Sequence, residues 1–211
     1  LILNMFIKKF LIILSFILFS NFSNLLAEDY TVFTLGYTKN IAEGPHDSVG
    51  STYHKDPEDN GQSFGLAFGS RSDETIFETE IFYNTATTHK LTDDVNTDVS
   101  TLAVMTNAFF APNIGNNSNS YGLIGAGFGF GSTKVDSKFS GGADPGDKTQ
   151  WTFGYQFMIG FGFEDIEILY KHTDLGEVKS GSTSSYSADE FDNISKSISI
   201  RYKFWKFFKI V

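Results

Sequence analysis

From Trp151 to Phe163 the chain sets a large apolar side chain at every second position. Trp151, Phe153, Tyr155, Phe157, Ile159, Phe161 and Phe163 alternate with Thr152, Gly154, Gln156, Met158, Gly160 and Gly162. After Glu164 and Asp165 the alternation resumes, with Ile166, Ile168, Tyr170 and His172 on one face and Glu167, Leu169 and Lys171 on the other. A period of two belongs to a β-strand, and two such runs across a tight break predict a hairpin. The first run is longer than the ~5–6 residues of an ordinary soluble strand. One aromatic face and one small, Gly-rich face suit a wall between lipid and a narrow interior.

Six further runs carry the same pattern, bringing the predicted strands to eight. They are Tyr30 to Thr38, Gln62 to Ser70, Thr75 to Asn84, Val99 to Phe110, Tyr121 to Gly131 and Ile194 to Phe204. Their apolar faces include Phe33, Leu35 and Tyr37; Phe64, Leu66 and Phe68; Phe77, Ile81 and Tyr83; Leu102, Val104 and Phe110; Ile124, Phe128 and Phe130; and Ile198, Ile200, Tyr202 and Phe204. The connections after strands one, three, five and seven are long and polar, and the others are short. This rhythm predicts an all-β fold, an eight-stranded antiparallel up-and-down transmembrane β-barrel with short periplasmic turns and long external loops. A soluble barrel or sandwich is the alternative. Against it stand an export signal, the length of the aromatic face, and an opposite face of Gly, Ala, Ser and Thr with few charges.

The export signal occupies residues 1–27. Met5 is a candidate start, Lys8 and Lys9 form a positive segment, Phe10 to Phe19 an apolar one, and Ala27 offers a cleavage position. Ten apolar residues fall short of the ~20 a membrane-spanning helix needs, although an uncleaved anchor is the alternative. Residues 28–211 then form the barrel domain. The formal net charge of −9 is the wrong sign for a nucleic-acid partner.

Several segments together resemble a known family. STLAVMTNAFFAP followed by SYGLIGAGFGFG is similar to the outer-membrane β-barrels of opacity-type proteins and related surface antigens, in which a strand ending in Asn-aromatic-aromatic leads to a Tyr-x-x-Gly-x-Gly-x-Gly strand. Here these are Asn107 to Phe110 and Tyr121, Gly125, Gly127 and Gly129. Tyr155 and Gln156 resemble the family's aromatic-Tyr-Gln strand, and Tyr170, Asp174 and Gly176 its Tyr-Arg-Tyr-x-Asp-x-Gly ending, with Lys171 and His172 replacing the usual Arg and Tyr. The match is good over the second half of the chain and only one of pattern over the first. It implies the outer membrane of a Gram-negative bacterium, a monomer, and a structural, adhesin or surface-antigen role exercised through external loops. Contacts with outer-membrane lipid and lipopolysaccharide, and with an extracellular ligand at the loops, are implied too. It also implies a final-strand aromatic read by the barrel-assembly machinery. Phe204 fits that place, although Trp205 to Val211 follow it. A narrow, porin-like solute or ion channel is the alternative function, and a lipid-modifying enzyme comes third.

Parity turns six charged residues inward: Glu78, Glu80, Glu167, Lys171, Arg201 and Lys203. Acids and bases in equal number predict a salt-bridged plug, with Glu167 facing Arg201, and a gated ion path is its functional alternative. Eight-stranded barrels of the OmpA/OmpX type have interiors that side chains just fill, which disfavours a diffusion pore. No catalytic residue is indicated: His46, His54 and His89 fall in expected loops, and His172 faces lipid beside Thr173 and Asp174. The acids Asp56, Glu58, Asp59, Asp93 and Asp94 lack the spacing of a calcium loop, so no metal and no cofactor is expected. The Gly-rich runs sit inside strands, where they make room. Tyr30, Tyr37, Tyr83, Tyr121, Trp151, Tyr170 and Tyr202 are expected to form interfacial girdles.

Overall fold

The computed structural model describes residues 28–43, 58–92, 95–115, 119–139, 146–180 and 190–205. The expected signal segment, the tail after Trp205, His46, His54, Asp56, Asp93 and Asp94 lie outside them. Eight strands follow one another: β1 (Glu28–Glu43), β2 (Glu58–Ser72), β3 (Thr75–Thr92), β4 (Val95–Phe110), β5 (Ser120–Phe139), β6 (Gly146–Phe163), β7 (Ile166–Lys179) and β8 (Glu190–Trp205). Each pairs antiparallel with the next, and β8 closes on β1 from Tyr30↔Trp205 to Glu43↔Asp192. Closure leaves no sheet edge, which is what a strand needs in a solvent without hydrogen-bonding partners.

All eight strands run further than the alternation of large apolar residues indicated. A strand needs only ~9–11 residues to cross the hydrocarbon, whereas these hold 14 to 20. The surplus lies at the end away from the tight turns, so much of the expected loop sequence is strand. Lys138 pairs with Asn96, and Glu58 with Ile41. His89, expected in a loop, is buried on the inner face of β3.

At the other end, β2–β3 and β6–β7 join through the two-residue turns Asp73–Glu74 and Glu164–Asp165. The first residue of each has a positive φ, 50° at Asp73 and 52° at Glu164, as tight hairpin turns require. Neighbouring strands use the turn carbonyls: the Ala111 N–H donates to Glu74 O at 2.6 Å and the Lys203 N–H to Asp165 O at 2.8 Å.

Alternation divides the side chains between two environments. Outward stand Phe33, Leu35, Phe128, Phe153, Phe157, Ile159, Ile168, Ile200 and their neighbours, exposed over the turn-side part of the wall. An apolar band encircling a closed barrel belongs in hydrocarbon, so the chain spans a membrane. Inward stand small and polar residues, with three apolar clusters. One lies near the turns (Tyr30, Val32, Ile76, Phe109, Leu123 and others), one in the middle (Phe82, Ala103, Met105, Leu175), and one near the loop end (Ala42, Val99, Val135, Val178, Phe191).

Two of the expected girdle residues do not belong to a girdle. Tyr30 and Tyr121 are inside the barrel, 0% and 3% exposed. Parity decides this: Tyr30 shares the face of Val32 and Thr34, and Tyr121 that of Leu123. Tyr37, Tyr83, Trp151, Tyr170 and Tyr202 do face outward.

Candidate functional site

The strands bring all six inward charges into the barrel lumen, each fully or almost fully buried. Glu167 and Arg201 are direct partners in the β7–β8 ladder, and Arg201 Nη1 donates to Glu167 Oε2 at 2.6 Å. Its Nη2 crosses to β3 and donates to Glu78 Oε2 at 2.5 Å. Lys203 lies 2.6 Å from Glu167 Oε1. Tyr30 and Tyr121 complete this layer, their hydroxyls donating to Glu78 Oε1 at 2.7 Å and Glu167 Oε1 at 2.8 Å. Lys203 Nζ stands 4.8 Å and 4.9 Å from the centres of those two rings, close enough for a cation–π contribution.

A second layer is centred on Glu80. Lys171 Nζ donates to its Oε1 at 2.9 Å while lying 4.1 Å from the Phe82 ring centre. Gln156 and Asn107 donate to its Oε2 at 3.3 and 3.4 Å. Gln156 also donates to Asn107 Oδ1 at 2.6 Å and accepts from Thr173 at 3.2 Å. Three carboxylates thus meet three cations, which leaves the lumen without net charge at these levels. Removing charges from water is costly, and only such mutual pairing with extra hydrogen bonds offsets it.

Glycine makes this layer geometrically possible. Gly127 lies between Asn107 and Gln156 across two ladders, and a Cβ there would come within 2.0 Å of Asn107 Oδ1. At Gly125 it would meet the Phe109 ring at 2.4 Å.

Towards the loop end the lumen mixes polar side chains with the apolar cluster around Phe191. Asn193 donates to Thr101 and Thr133 at 3.0 and 2.8 Å. Asn40 donates to Thr87, whose hydroxyl lies 2.9 Å from His89 Nε2. Charges return on the outer surface, above the apolar band, as a collar of cross-strand pairs. Lys39 pairs with Glu58 and Lys179 with Glu190; Lys134 reaches Asp147 at 2.7 Å and Lys138 reaches Asp98 at 2.8 Å. Partial burial pushes Asp98 up, but hydrogen bonds from Lys138 and Thr88 outweigh it and hold the carboxyl below its ordinary range. The bond to Asp98 in turn holds Lys138 above the usual amine range. Among the described residues no cluster of acids and histidines is arranged to hold a metal ion.

The residues carried by the family resemblance fall into two groups. Asn107, Tyr121, Gly125, Gly127 and Gln156 belong to the lumen; the glycines give room there, and the part of Asn107, Tyr121 and Gln156 in the polar network was not foreseen. Tyr155 and Asp174 meet on the outside, the tyrosine hydroxyl donating to Oδ2 at 2.8 Å. The Asp174 Oδ1 accepts from the Gly176 N–H at 2.8 Å, at a bulge where Gly176 has φ 73°. Tyr170 and Phe204 face outward, the latter paired with Thr31 on β1. Arg71, unremarked in the sequence, stacks 4.4 Å from the Tyr121 ring centre at the turn-side mouth and donates to Ala111 O at 3.3 Å.

No family model matches the chain, and no curated protein resembles it in sequence. Solved structures share its fold. Neisserial surface protein A is 15% identical, with a TM-score of 0.53 over 83% of this chain and 97% of its own. The outer membrane protein OprG from Pseudomonas aeruginosa is 14% identical, with a TM-score of 0.53 over 85% of this chain and 97% of its own. The fold is that of the small eight-stranded outer-membrane barrels of Gram-negative bacteria.

Proposed function

We propose that the chain is a monomeric outer-membrane barrel that acts through the surface at its loop end, as a structural or adhesive surface protein, and not as a pore or an enzyme. One observation carries this reading: the Arg201 bridge from Glu167 to Glu78, joined by Lys203, Tyr30 and Tyr121, crosses the lumen as a buried, mutually paired layer. A permeating ion would have to break buried pairs whose partners are otherwise left uncompensated.

What remains for interaction is the collar and the four connections at residues 44–57, 93–94, 140–145 and 181–189, rich in Gly, Ser and Asp. The name of the Neisserial protein describes a surface protein, which accords with this role. His89 and His172 stand on opposite sides of the wall, which supports a non-catalytic reading. The final strand, with Phe204, is taken as what the barrel-assembly machinery recognises.

Reconstitution in planar bilayers tests the proposal. The folded barrel should give no steady, discrete conductance, and a reproducible unitary current would overturn the sealed-lumen reading. Fractionation together with boiled and unboiled gel migration tests the location. A soluble protein without a shift would sink it.

A further inference from the structure

The eight ladders do not reach the same height. Six continue far into the loop-side section, to Ile41↔Glu58, Thr92↔Val95, Val95↔Phe139, Ser137↔Gly146, Lys179↔Glu190 and Glu43↔Asp192. The other two, β2–β3 and β6–β7, stop at Ser63↔Asn84 and Tyr155↔Asp174. Each stops where a strand bulges. The register of β3 against β4 shifts directly after Asn84, and that of β7 against β8 directly after Asp174. A bulge bends its strand and disrupts the ladder. Beyond these points, among the described residues, side chains take over from backbone pairing. The Gln62 N–H donates to Thr85 Oγ1 at 2.9 Å and the Thr88 N–H to Asp59 Oδ2 at 2.8 Å. At the other seam the Lys179 N–H donates to Gln150 Oε1 at 3.0 Å, and Gln150 Nε2 to Lys179 O at 2.6 Å.

The two seams lie four strands apart in an eight-stranded wall, so they stand opposite one another. They divide the loop-side section into two lobes, β7-β8-β1-β2 and β3-β4-β5-β6. The connections at 44–57 and 181–189 start and finish in the first lobe, those at 93–94 and 140–145 in the second. The collar follows the same division. Lys39–Glu58 and Lys179–Glu190 belong to the first lobe, Lys134–Asp147 and Lys138–Asp98 to the second. Across the lumen the lobes meet through side chains. Asn40 donates to Thr87, and Asn193 to Thr101 and Thr133. Ala42, Val178 and Phe191 of one lobe share an apolar cluster with Val99 and Val135 of the other. The charged layers lie on the turn side of both seams, where all eight ladders are continuous.

We propose that the loop-side section opens and closes as two four-stranded lobes, hinged at the β3 and β7 bulges, over a membrane-spanning section that stays shut. Separating the lobes breaks no ladder. It breaks the seam bonds and the cross-lumen contacts, all of which side chains make, so it is a local opening and not an unfolding of the wall. A section held by eight continuous ladders would move only as one body. The proposal rests on the pairing of the strands and leaves the sealed lumen as it is. Its consequence is that the two pairs of external connections ride on separate bodies whose spacing changes.

Backbone hydrogen exchange, read residue by residue by NMR on the refolded full chain in phosphatidylcholine nanodiscs, tests this. The reporters are the Gln62 and Thr88 amides at one seam and the Lys179 amide at the other. Asn193→Ala removes two cross-lumen bonds and touches neither seam. It should speed exchange at both seams by about tenfold. The amides of Val99 and Val135 inside a lobe, and of Leu66 and Met158 in the membrane section, should keep their rates. Gln150→Ala should likewise speed Gln62 and Thr88 on the opposite side of the barrel. The chain has no cysteine, so an oxidised Gln150→Cys/Lys179→Cys pair locks one seam alone, and exchange at the other should slow. The proposal is overturned if each change acts only at its own seam, or if all loop-side amides accelerate together. It is overturned too if the parent protects its seam amides as well as those of Val99 and Val135. Unboiled gel migration confirms that each variant is folded, and Gln150→Ala decides the matter where Asn193→Ala is not.

Discussion

Arg201 stands across the β7–β8 ladder from Glu167 and reaches past it to Glu78 on β3, three strands away around the wall. One guanidinium therefore ties two carboxylates on separate strands. Its Nε is buried with no acceptor among the described residues, so the two terminal nitrogens make the connection.

Replacing Arg201 by Met should destabilise the barrel by about 3–5 kcal/mol, because two buried carboxylates lose their shared cation. Glu167→Gln in that background should restore part of the loss, with a coupling of about 0.5–3 kcal/mol. Urea unfolding in lipid vesicles, followed by intrinsic fluorescence, measures both. A near-neutral R201M would mean that the lumen hydrates freely around these acids.

Gly127→Ala should cost about 1–3 kcal/mol by overpacking, since the added methyl displaces Asn107 and, through it, Gln156 and Glu80. Gly122→Ala is the comparison, its nearest neighbour being Ile114 Cδ1 at 3.9 Å, and should stay within about 0.5 kcal/mol of the parent. Equal effects in the same unfolding assay would contradict the close approach at Gly127.

The collar pair Asp98–Lys138 should show in pH dependence. Asp98 is lowered on folding, so its contribution is fully present above its unfolded value and is lost as acid carries the pH down through the folded one. Lys138 is raised, so its contribution is present below its unfolded value and disappears as the pH climbs through the folded one. In a carboxyl-resolved NMR titration, Lys138→Gln should move the Asp98 midpoint upward. An unmoved midpoint would show that the lysine does not hold it.

At the β7–β8 bulge, Gly176 has φ 73° and its N–H is held by Asp174. Gly176→Ala should therefore cost about 1–3 kcal/mol as backbone strain, and Gly176→Asn less, because Asn tolerates the left-handed region. The order of the two thermal midpoints checks this, and alanine equal to asparagine would argue against strain.

The eight strands and their faces could be read directly because the bilayer demands strict contrast between an apolar outside and a small, polar inside. Above the bilayer that contrast vanishes. In β5 beyond Gly131, Lys134, Asp136 and Lys138 face water while Thr133, Val135 and Ser137 fill the lumen, a pattern no different from a polar loop. The strand ends and the place of His89 were hidden for this reason. Within the lumen, Glu167 opposite Arg201 was legible, since the up-and-down order makes β7 and β8 neighbours and parity turns both residues inward. The bridge to Glu78 was not, because it depends on how far the strands slip past one another around the closed wall. Tyr30 and Tyr121 look like interfacial residues by type; only their parity, and the carboxylates waiting for a donor, put them inside.

Arg201 and Lys203 both come from the last strand. Glu78 on β3 and Arg201 on β8 are therefore brought together only when β8 pairs with β1 and the wall closes. Sealing the wall and neutralising the Glu78–Glu167 layer are consequently coupled: neither is complete without the other.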